Sequence, residues 1–207
     1  AVAMQLSNAP ESIMAWNEWC RQKVHSLAWH PSKKVEERVA HWREQLAFGS
    51  GEVAHLHLHG PPGVGKTRMA LELCRGASWR DFVVYVEDAS KTQVSDMLAG
   101  AARNAGVHMV LIADEVESQD LDKLCSRVEG ADGRVKLITI GHGGTTDPTR
   151  IPSQEVEPLP EDVVLSVIAD QHQGMPQDQR RFVASFSGGY VRLAILAANA
   201  LAAGGTA

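Results

Sequence analysis

The sequence predicts an α/β fold in which a parallel sheet of five strands is flanked by helices. A glycine-rich stretch at 60–67 joins an apolar run to a helix-like run, and another apolar run at 108–113 ends in two carboxylates. The last part of the chain is patterned entirely as helices. Strands that alternate with helices are typical of parallel sheets. We therefore expect an N-terminal helical arm at 1–50, an α/β core at 51–158 and a helical lid subdomain at 159–207.

Composition limits the class of protein. The chain has 207 residues, 44% hydrophobic content and a net charge of −5, which supports a core but gives no basic field that would draw it to nucleic acid. Three separated cysteines, Cys20, Cys74 and Cys125, lack metal-ligand spacing and indicate reduced thiols of a cytoplasmic protein. No apolar run reaches the roughly 20 residues of a membrane span, so no membrane partner is expected. Since the chain starts without methionine and ends in small residues, we expect a piece of a longer protein.

The arm is predicted to contain two helices. The first is predicted between residues 10 and 29 from apolar side chains at helical spacing: Ile13, Trp16, Cys20, Val24 and Leu27. Ser32 can cap the second helix, whose apolar face has four members: Val35, Val39, Trp42 and Leu46. Four of the five tryptophans lie in the arm: Trp16, Trp19, Trp29 and Trp42. Packing against the core is favoured over stacking on a base, because aromatic side chains dominate core burial.

The glycine-rich stretch, Gly60-Pro61-Pro62-Gly63-Val64-Gly65-Lys66-Thr67, matches a phosphate-binding pattern at every fixed position. It lies between a predicted strand at 53–59 and a predicted helix at 67–75, which is the context that the pattern requires. Its glycines let backbone N–H groups point at a phosphate, and the helix dipole adds positive potential. Lys66 can reach the β- and γ-phosphates, and the Thr67 hydroxyl can ligate Mg²⁺. The predicted phosphate-binding residues are Gly60, Pro61, Pro62, Gly63, Val64, Gly65, Lys66, Thr67 and Arg68.

Three histidines alternate with leucines along the strand that precedes this loop. His55, His57 and His59 therefore face one side of the sheet. Neighbours along one strand face lie about 7 Å apart, which is awkward for a single tetrahedral zinc site. Polar packing is therefore favoured over metal binding.

The next segment supplies two carboxylates at the end of a strand. A second strand is predicted at 82–86 and a helix at 92–105, and the strand at 108–113 then leads into Asp114 and Glu115. Because parallel strands carry their carboxyl ends to one edge of the sheet, Asp114 is expected beside the phosphate loop. There it can hold Mg²⁺ through water, and Glu115 can act as the base that orients the attacking water.

A fourth strand, at 134–140, is predicted to bring one more polar group to the site. Thr139 is expected to touch the γ-phosphate or its attacking water, with His142 as the alternative. Arg150 either senses the γ-phosphate or faces solvent. A short edge strand is predicted at 154–156.

The lid is predicted to begin at Pro158-Leu159-Pro160. Pro160 can open a helix with acidic residues in its first turn, where they complement the helix dipole. Further helices are predicted at 179–186 and in the alanine-rich segment that follows Gly189.

The order of these parts resembles the AAA+ ATPases and their STAND relatives over about residues 50–200. The resemblance implies a P-loop NTPase core with a helical lid. Gly189-Tyr190-Val191-Arg192 matches the Gly-x-x-Arg start of an AAA+ lid helix, which implies that Arg192 is the sensor-2 residue that reaches the nucleotide. The junction Glu155–Glu161 is similar to that of STAND proteins, but their proline-containing motif is absent here at 188–193. The implied candidates for an arginine finger are Arg134 and Arg150.

The resemblance implies a Mg²⁺-dependent ATPase domain of a larger protein, which binds ATP or ADP and couples the nucleotide state to lid movement. The implied catalytic residues are Lys66, Glu115, Thr139 and Arg192, and the implied magnesium ligands are Thr67 and Asp114. Adenine is implied rather than guanine, since no Asn-Lys-x-Asp stretch occurs. The alternative is a STAND-type switch that hydrolyses slowly and regulates fused effector or sensor domains, and a homo-oligomer is also implied. A small-molecule kinase is disfavoured because residues 160–200 carry few arginines.

Overall fold

The computed structural model describes residues 12–22, 28–49, 51–145 and 147–204, with a six-stranded sheet at its centre. The strands are β1 (Ile13–Ala15), β2 (His55–His59), β3 (Val83–Val86), β4 (Met109–Ala113), β5 (Val135–Gly141) and β6 (Ser153–Glu155). They lie in the order β1-β3-β4-β5-β2-β6. Strands β2 to β6 run parallel to one another, whereas β1 is antiparallel to β3.

Helices cover both faces of this sheet, and further helices come after its last strand in the chain. Those of the described residues are α1 (Trp16–Trp19), α2 (Lys33–Gln45), α3 (Lys66–Arg75), α4 (Val94–Arg103), α5 (Leu121–Glu129), α6 (Glu161–Gln171), α7 (Gln177–Ser187) and α8 (Val191–Gly204). Short 3-10 turns at Arg80–Phe82 and Ser118–Asp120 lead into β3 and α5. The predicted α/β class, with parallel core strands, flanking helices and C-terminal helices, is confirmed.

The beginning of the chain differs from the expectation of one helix across residues 10–29. Ile13–Ala15 forms a strand, and only Trp16–Trp19 is helical before the chain turns; the parts of the predicted helix at 10–11 and 23–27 lie outside the described residues. The physical reason is the outer edge of β3, whose unpaired backbone groups accept an antiparallel partner with Met14 opposite Tyr85. The spacing of apolar residues along the chain carries no information about such pairing. The prediction of a helix at 13–15 was therefore wrong, and the described sheet has six strands where five were predicted.

Apolar side chains cover both faces of the sheet, as expected for parallel strands that are buried on both sides. One face packs against α2 and α3 through a cluster that includes Leu56, Leu58, Ile112, Ile138 and Ile140. The other packs against α4 and α5 through a cluster that includes Leu98, Leu111, Leu124, Val128 and Leu137. Trp16, Trp19 and Trp42 of the arm belong to the first cluster or pack on it, in keeping with the core-packing interpretation of the arm.

The lid helices α6 to α8 enclose an apolar cluster of their own, formed by Val164, Ile168, Met175, Val183, Ala184, Ala194 and Ala198. A backbone hydrogen bond of 2.9 Å from Leu159 N to Gly189 O ties the start of the lid to the turn before α8. Gly189 has a φ of +87°, and a side chain there would collide with the Leu159 carbonyl and the Pro158 ring. Within the described ranges, no helix is both long enough and apolar enough to cross a membrane.

Candidate active site

A cleft of about 790 Å³ opens at the carboxyl ends of the parallel strands, which is where open α/β sheets bind ligands. Its floor and end are formed by the loop between β2 and α3 and by the ends of strands β3 to β5. Its walls come from the start of α2 with the segment before it, represented by Trp29, Pro31 and Val35, and from the lid, represented by Val163 and Ile195. The cleft therefore has apolar walls on two sides of a glycine-rich floor.

The floor is the predicted phosphate loop, and two of its glycines are required by the geometry. Gly60 has a φ of +144°, and a β-carbon there would lie 2.5 Å from the Val156 carbonyl oxygen. Gly65 caps the start of α3 with a φ of +107°, a left-handed conformation that L side chains rarely adopt. Helix α3 then begins at Lys66, so its free N–H groups and its positive dipole end face the loop.

Lys66 is folded over this loop. Its Nζ donates hydrogen bonds to the carbonyl oxygens of Gly60 at 2.9 Å and Pro61 at 3.0 Å. Burial lowers the pKa of Lys66, while the carboxylates of Asp114 and Glu115 oppose that shift. The ammonium is therefore held at the centre of the loop by groups that an incoming phosphate can replace as its partner.

Asp114 lies at the end of β4 and joins that strand to the phosphate loop. Thr67 Oγ1 donates to Asp114 Oδ2 at 2.7 Å, and the backbone N–H of Glu115 donates to Oδ1 at 2.9 Å. The hydroxyl of Tyr85 donates to Oδ2 at 3.1 Å. Burial raises the pKa of Asp114, whereas these three donors oppose the shift. A hydroxyl and a carboxylate at this separation are hard oxygen ligands of the kind that Mg²⁺ prefers, so these residues fit the ion.

Tyr85 was missed by the sequence interpretation, which predicted a strand at 82–86 and no site residue within it. A signal was available, because Tyr85 carries the polar group in the run Val-Val-Tyr-Val. Its place beside Asp114 follows from the parallel pairing of β3 with β4, in which Tyr85 is opposite Ile112.

The side chain of Glu115 is exposed, whereas that of the preceding residue, Asp114, is buried. Its φ of +57° lies in the left-handed region that is unusual for a residue with a side chain. The carboxylate is exposed in the cleft and lies 3.4 Å from His142 Nε2, measured to Oε2. His142, the alternative for the polar group after the fourth strand, is thus the residue that the structure brings next to the predicted base.

Thr139 does not reach the site, and its predicted position was wrong. Strand β5 continues to Gly141, so Thr139 lies inside the sheet and is fully buried. Its hydroxyl lies between His55 Nε2 at 2.8 Å and His57 Nδ1 at 2.9 Å. His57 Nε2 in turn lies 2.8 Å from the carbonyl oxygen of Gly143. Burial lowers the pKa of His55 to about 3, so this ring is neutral.

A Thr139→Val variant is expected to be less stable but to bind nucleotide with unchanged affinity. Loss of the hydroxyl leaves two buried imidazoles short of a partner, which costs about 1–3 kcal/mol in the free energy of unfolding. Denaturant unfolding measures the first effect, and titration with ATP measures the second. Loss of ATP affinity or turnover in a variant that remains folded would show that Thr139 does contribute to the active site.

The lid brings Arg192 to the phosphate loop. The Arg192 backbone N–H donates to the carbonyl oxygen of Gly63 at 3.2 Å, and the residue lines the cleft. A β-carbon on Gly63 would lie 3.1 Å from the Arg192 β-carbon, so the close approach of lid and loop depends on this glycine. Arg68 also lines the cleft, where its guanidinium is bonded to Glu72 at 2.9 Å and lies 5.6 Å from the centre of the Trp29 ring.

The other two arginines considered for a role at the phosphates bind elsewhere in their own chain. Arg150 donates to both carboxylate oxygens of Glu129 at 2.9 Å and to Ser126 on α5. Arg134 donates to backbone carbonyls at the end of α4, including that of Asn104 at 2.8 Å. Arg150 is thus engaged on the surface at α5, so of the two alternatives considered for it, the surface position is the one that the structure supports.

Comparison with known proteins places this geometry among related chains. No protein-family model matches the sequence. The chain is 31% identical over 110 residues to the replication factor C large subunit of Methanothrix thermoacetophila, which covers 51% of this chain and 23% of that protein. It is 26% identical over 190 residues to replication factor C small subunit 2 of Pyrobaculum islandicum, which covers 82% of this chain and 59% of that protein.

Among solved structures, a variant of RuvB from Thermotoga maritima is similar, with a TM-score of 0.62 and 18% sequence identity. That match covers 83% of this chain and 62% of the RuvB chain. This chain therefore spans less than two thirds of the length of each of these proteins. The shared fold and the sequence similarity agree with the loop, carboxylate and lid geometry, and together they indicate a P-loop domain with the fold of the AAA+ ATPases.

Proposed function

We propose that the chain is the Mg²⁺-dependent ATP-binding and ATP-hydrolysing domain of a larger protein. The observation that carries this proposal is the 2.7 Å hydrogen bond between Thr67 and Asp114, which are 47 residues apart in the chain. It joins the phosphate loop to the end of β4 and so assembles an oxygen-rich metal position beside the loop ammonium. Nucleotide phosphates have the charge and size that this arrangement of N–H groups, lysine and carboxylate accommodates.

Binding is assigned to the loop and to Lys66. The N–H groups at the start of α3 would face the β-phosphate of a bound nucleotide, and the Lys66 ammonium would exchange the Gly60 and Pro61 carbonyls for phosphate oxygens. Thr67 and Asp114 would hold Mg²⁺, which neutralises charge on the phosphate oxygens when it is bound. Arg192 adds a positive charge from the lid, where it lines the same cleft.

Hydrolysis is assigned to Glu115. Its exposed carboxylate is free of the hydrogen bonds that hold Asp114 and opens into the cleft. A carboxylate in this position can accept a proton from a water molecule while that water attacks the γ-phosphorus. His142, 3.4 Å away, limits the directions in which this carboxylate can point.

Nucleotide binding is coupled to the position of the lid through a direct backbone contact between the lid and the phosphate loop. The hydrogen bond from Arg192 N to Gly63 O connects α8 to the loop that holds the phosphates. A shift of the loop when nucleotide binds or is hydrolysed therefore acts on the lid, with the Leu159–Gly189 contact as the hinge. The sequence relatives are named as subunits of replication factor C, which supports action within an oligomer. Adenine nucleotides as ligand and a cytoplasmic location are part of the same proposal.

The test is nucleotide binding and turnover by the chain at several protein concentrations. We expect saturable binding of ADP and of ATP with Mg²⁺, and turnover that is low for the dilute domain and rises with its concentration. The reason is that an arginine supplied by a neighbouring subunit can be worth about 10³- to 10⁵-fold in rate. A STAND-type switch would instead retain ADP tightly and show slow turnover that does not rise with protein concentration. Absence of saturable nucleotide binding by folded protein would rule out both.

A further inference from the structure

Tyr85 connects the N-terminal arm with the carboxylate of the active site. Its side chain is almost completely buried, and its hydroxyl donates to Asp114 Oδ2 at 3.1 Å. Thr67 donates to the same oxygen at 2.7 Å. Oδ2 therefore has two donors from two different elements, β3 and α3, whereas Oδ1 has the backbone N–H of Glu115.

This distribution of hydrogen-bond donors determines which oxygen of the Asp114 carboxylate has a lone pair left for a metal ion. A carboxylate offers about four lone-pair sites, and the three donors among the described residues leave a free one on Oδ1. If the Tyr85 hydroxyl is removed, Oδ2 has an unused site inside a buried pocket and the carboxylate can rotate about its bond to the β-carbon. Tyr85 therefore restricts both the direction and the mobility of Asp114.

The arm holds Tyr85 in this position. The Trp19 ring stacks on the Tyr85 ring with centroids 4.4 Å apart and an interplanar angle of 8°, and Trp19 has no exposed surface. Trp16 contacts Trp19 edge-on at 6.0 Å. Strand β1 covers the outer edge of β3 and places Met14 opposite Tyr85. The tyrosine is thus fixed by stacking on its ring and by backbone pairing at its strand.

We propose that Tyr85, held by Trp19 of the N-terminal arm, is a positioning residue for Asp114 and thereby sets the affinity of the active site for Mg²⁺. This inference rests on the proposed function, because Asp114 is taken as the carboxylate that holds the ion. It assigns the tryptophan-rich arm a role at the metal position, in addition to its contribution to the core. The effect is on the metal rather than on the phosphate loop, because Tyr85 contacts Asp114 and none of the loop ammonium or amide groups in the described contacts.

The experiment measures ADP affinity of a Tyr85→Phe variant, first in EDTA and then across a Mg²⁺ series. Phenylalanine keeps the ring that stacks on Trp19, so we expect the fold to be retained. Affinity for ADP in EDTA is expected to stay within about twofold of wild type, while the Mg²⁺ concentration for half-maximal effect rises roughly tenfold, the size typical of outer-shell partners of metal ligands. An unchanged Mg²⁺ requirement in folded variant protein would overturn the inference.

Two tryptophan variants separate positioning from general loosening. Trp19→Leu removes the stacking partner and is expected to raise the Mg²⁺ requirement in the same direction. Trp79→Leu is the matched control, since Trp79 is as deeply buried but lies before the start of β3, bonded through Nε1 to the Arg43 carbonyl at 3.3 Å. It should lower the melting temperature without changing the Mg²⁺ requirement. An equal Mg²⁺ shift in Trp79→Leu, or equal loss of ADP affinity with and without Mg²⁺ in Tyr85→Phe, would contradict the proposal.

Measurements on the wild-type protein distinguish failure of the proposed function from failure of the role of Tyr85. Failure of the wild type to bind ADP or ATP under any condition removes the proposed function and this inference together. Binding by the wild type that depends on Mg²⁺, combined with an identical Mg²⁺ dependence in Tyr85→Phe, removes the inference and leaves the proposed function in place.

Discussion

A Lys66→Ala variant is expected to bind ATP and ADP at least about 100-fold more weakly than the wild type. Hydrogen bonds to charged groups contribute about 1.5–3 kcal/mol each, and loss of two such bonds to phosphate oxygens corresponds to that factor or more. The ammonium cannot be replaced from nearby, because it occupies the centre of the loop, between the Gly60 and Pro61 carbonyls. Isothermal titration with ADP and ATP in the presence of Mg²⁺ measures the effect.

The matched control for this variant is Lys91→Ala. Lys91 is exposed and paired with Asp88 at 2.7 Å on the loop after β3, and it does not line the cleft. Its replacement removes a lysine without touching the phosphate loop, so nucleotide affinity should stay within about twofold, since exposed ion pairs contribute little. Wild-type affinity in folded Lys66→Ala would show that the loop does not bind phosphate.

A Glu115→Gln variant is expected to keep its nucleotide affinity and to lose turnover. Glutamine has nearly the same shape, so Asp114 and the backbone N–H that it accepts from residue 115 stay in place. It cannot accept the proton of the attacking water, and removal of a general base costs about 10²- to 10⁴-fold in rate. Binding is measured by titration, and turnover by release of inorganic phosphate at a protein concentration where the wild type is active.

Glu117→Gln is the control for the charge change. Glu117 is exposed two residues further along and is bonded to Gln119 at 2.6 Å, outside the nucleotide cleft. Its turnover should match that of the wild type. If Glu115→Gln turned over ATP as fast as the wild type, the assignment of Glu115 as base would be incorrect, and His142 would become the residue to examine.

The assignment of Thr139 shows where inference from sequence reached its limit at the site. Thr139 was expected to point at the phosphates from near the end of a strand predicted at 134–140, and β5 does end close to there, at Gly141. The prediction missed the neighbour of Thr139: β5 pairs with β2 so that His57 is opposite Thr139, whose hydroxyl lies between His55 and His57. That register is a property of two strands that are distant in sequence, so no local pattern contains it.

The edge strand β1 illustrates the same limit for the fold. Its apolar residues have a spacing that fits a helix, and a short helix does follow at Trp16–Trp19. The choice between strand and helix was made by the open edge of β3, which offers backbone hydrogen bonds that an isolated segment cannot supply. Propensity in a short segment is weak compared with such tertiary pairing.

The sequence by itself predicted the α/β class, which the structure confirms, and it located the glycine-rich loop, the carboxylates after β4 and the helices that follow Pro160. Each of these features can be recognised in a short continuous segment of sequence. Loop glycines, apolar strand segments and helix starts depend on local backbone conformation and on burial. Only the tertiary structure decided that Tyr85 and Thr67 share Asp114, that Thr139 is buried among histidines, and that α8 contacts the loop at Gly63. Each of those contacts joins residues far apart in the chain, and its existence depends on strand register and helix packing that the whole fold fixes at once.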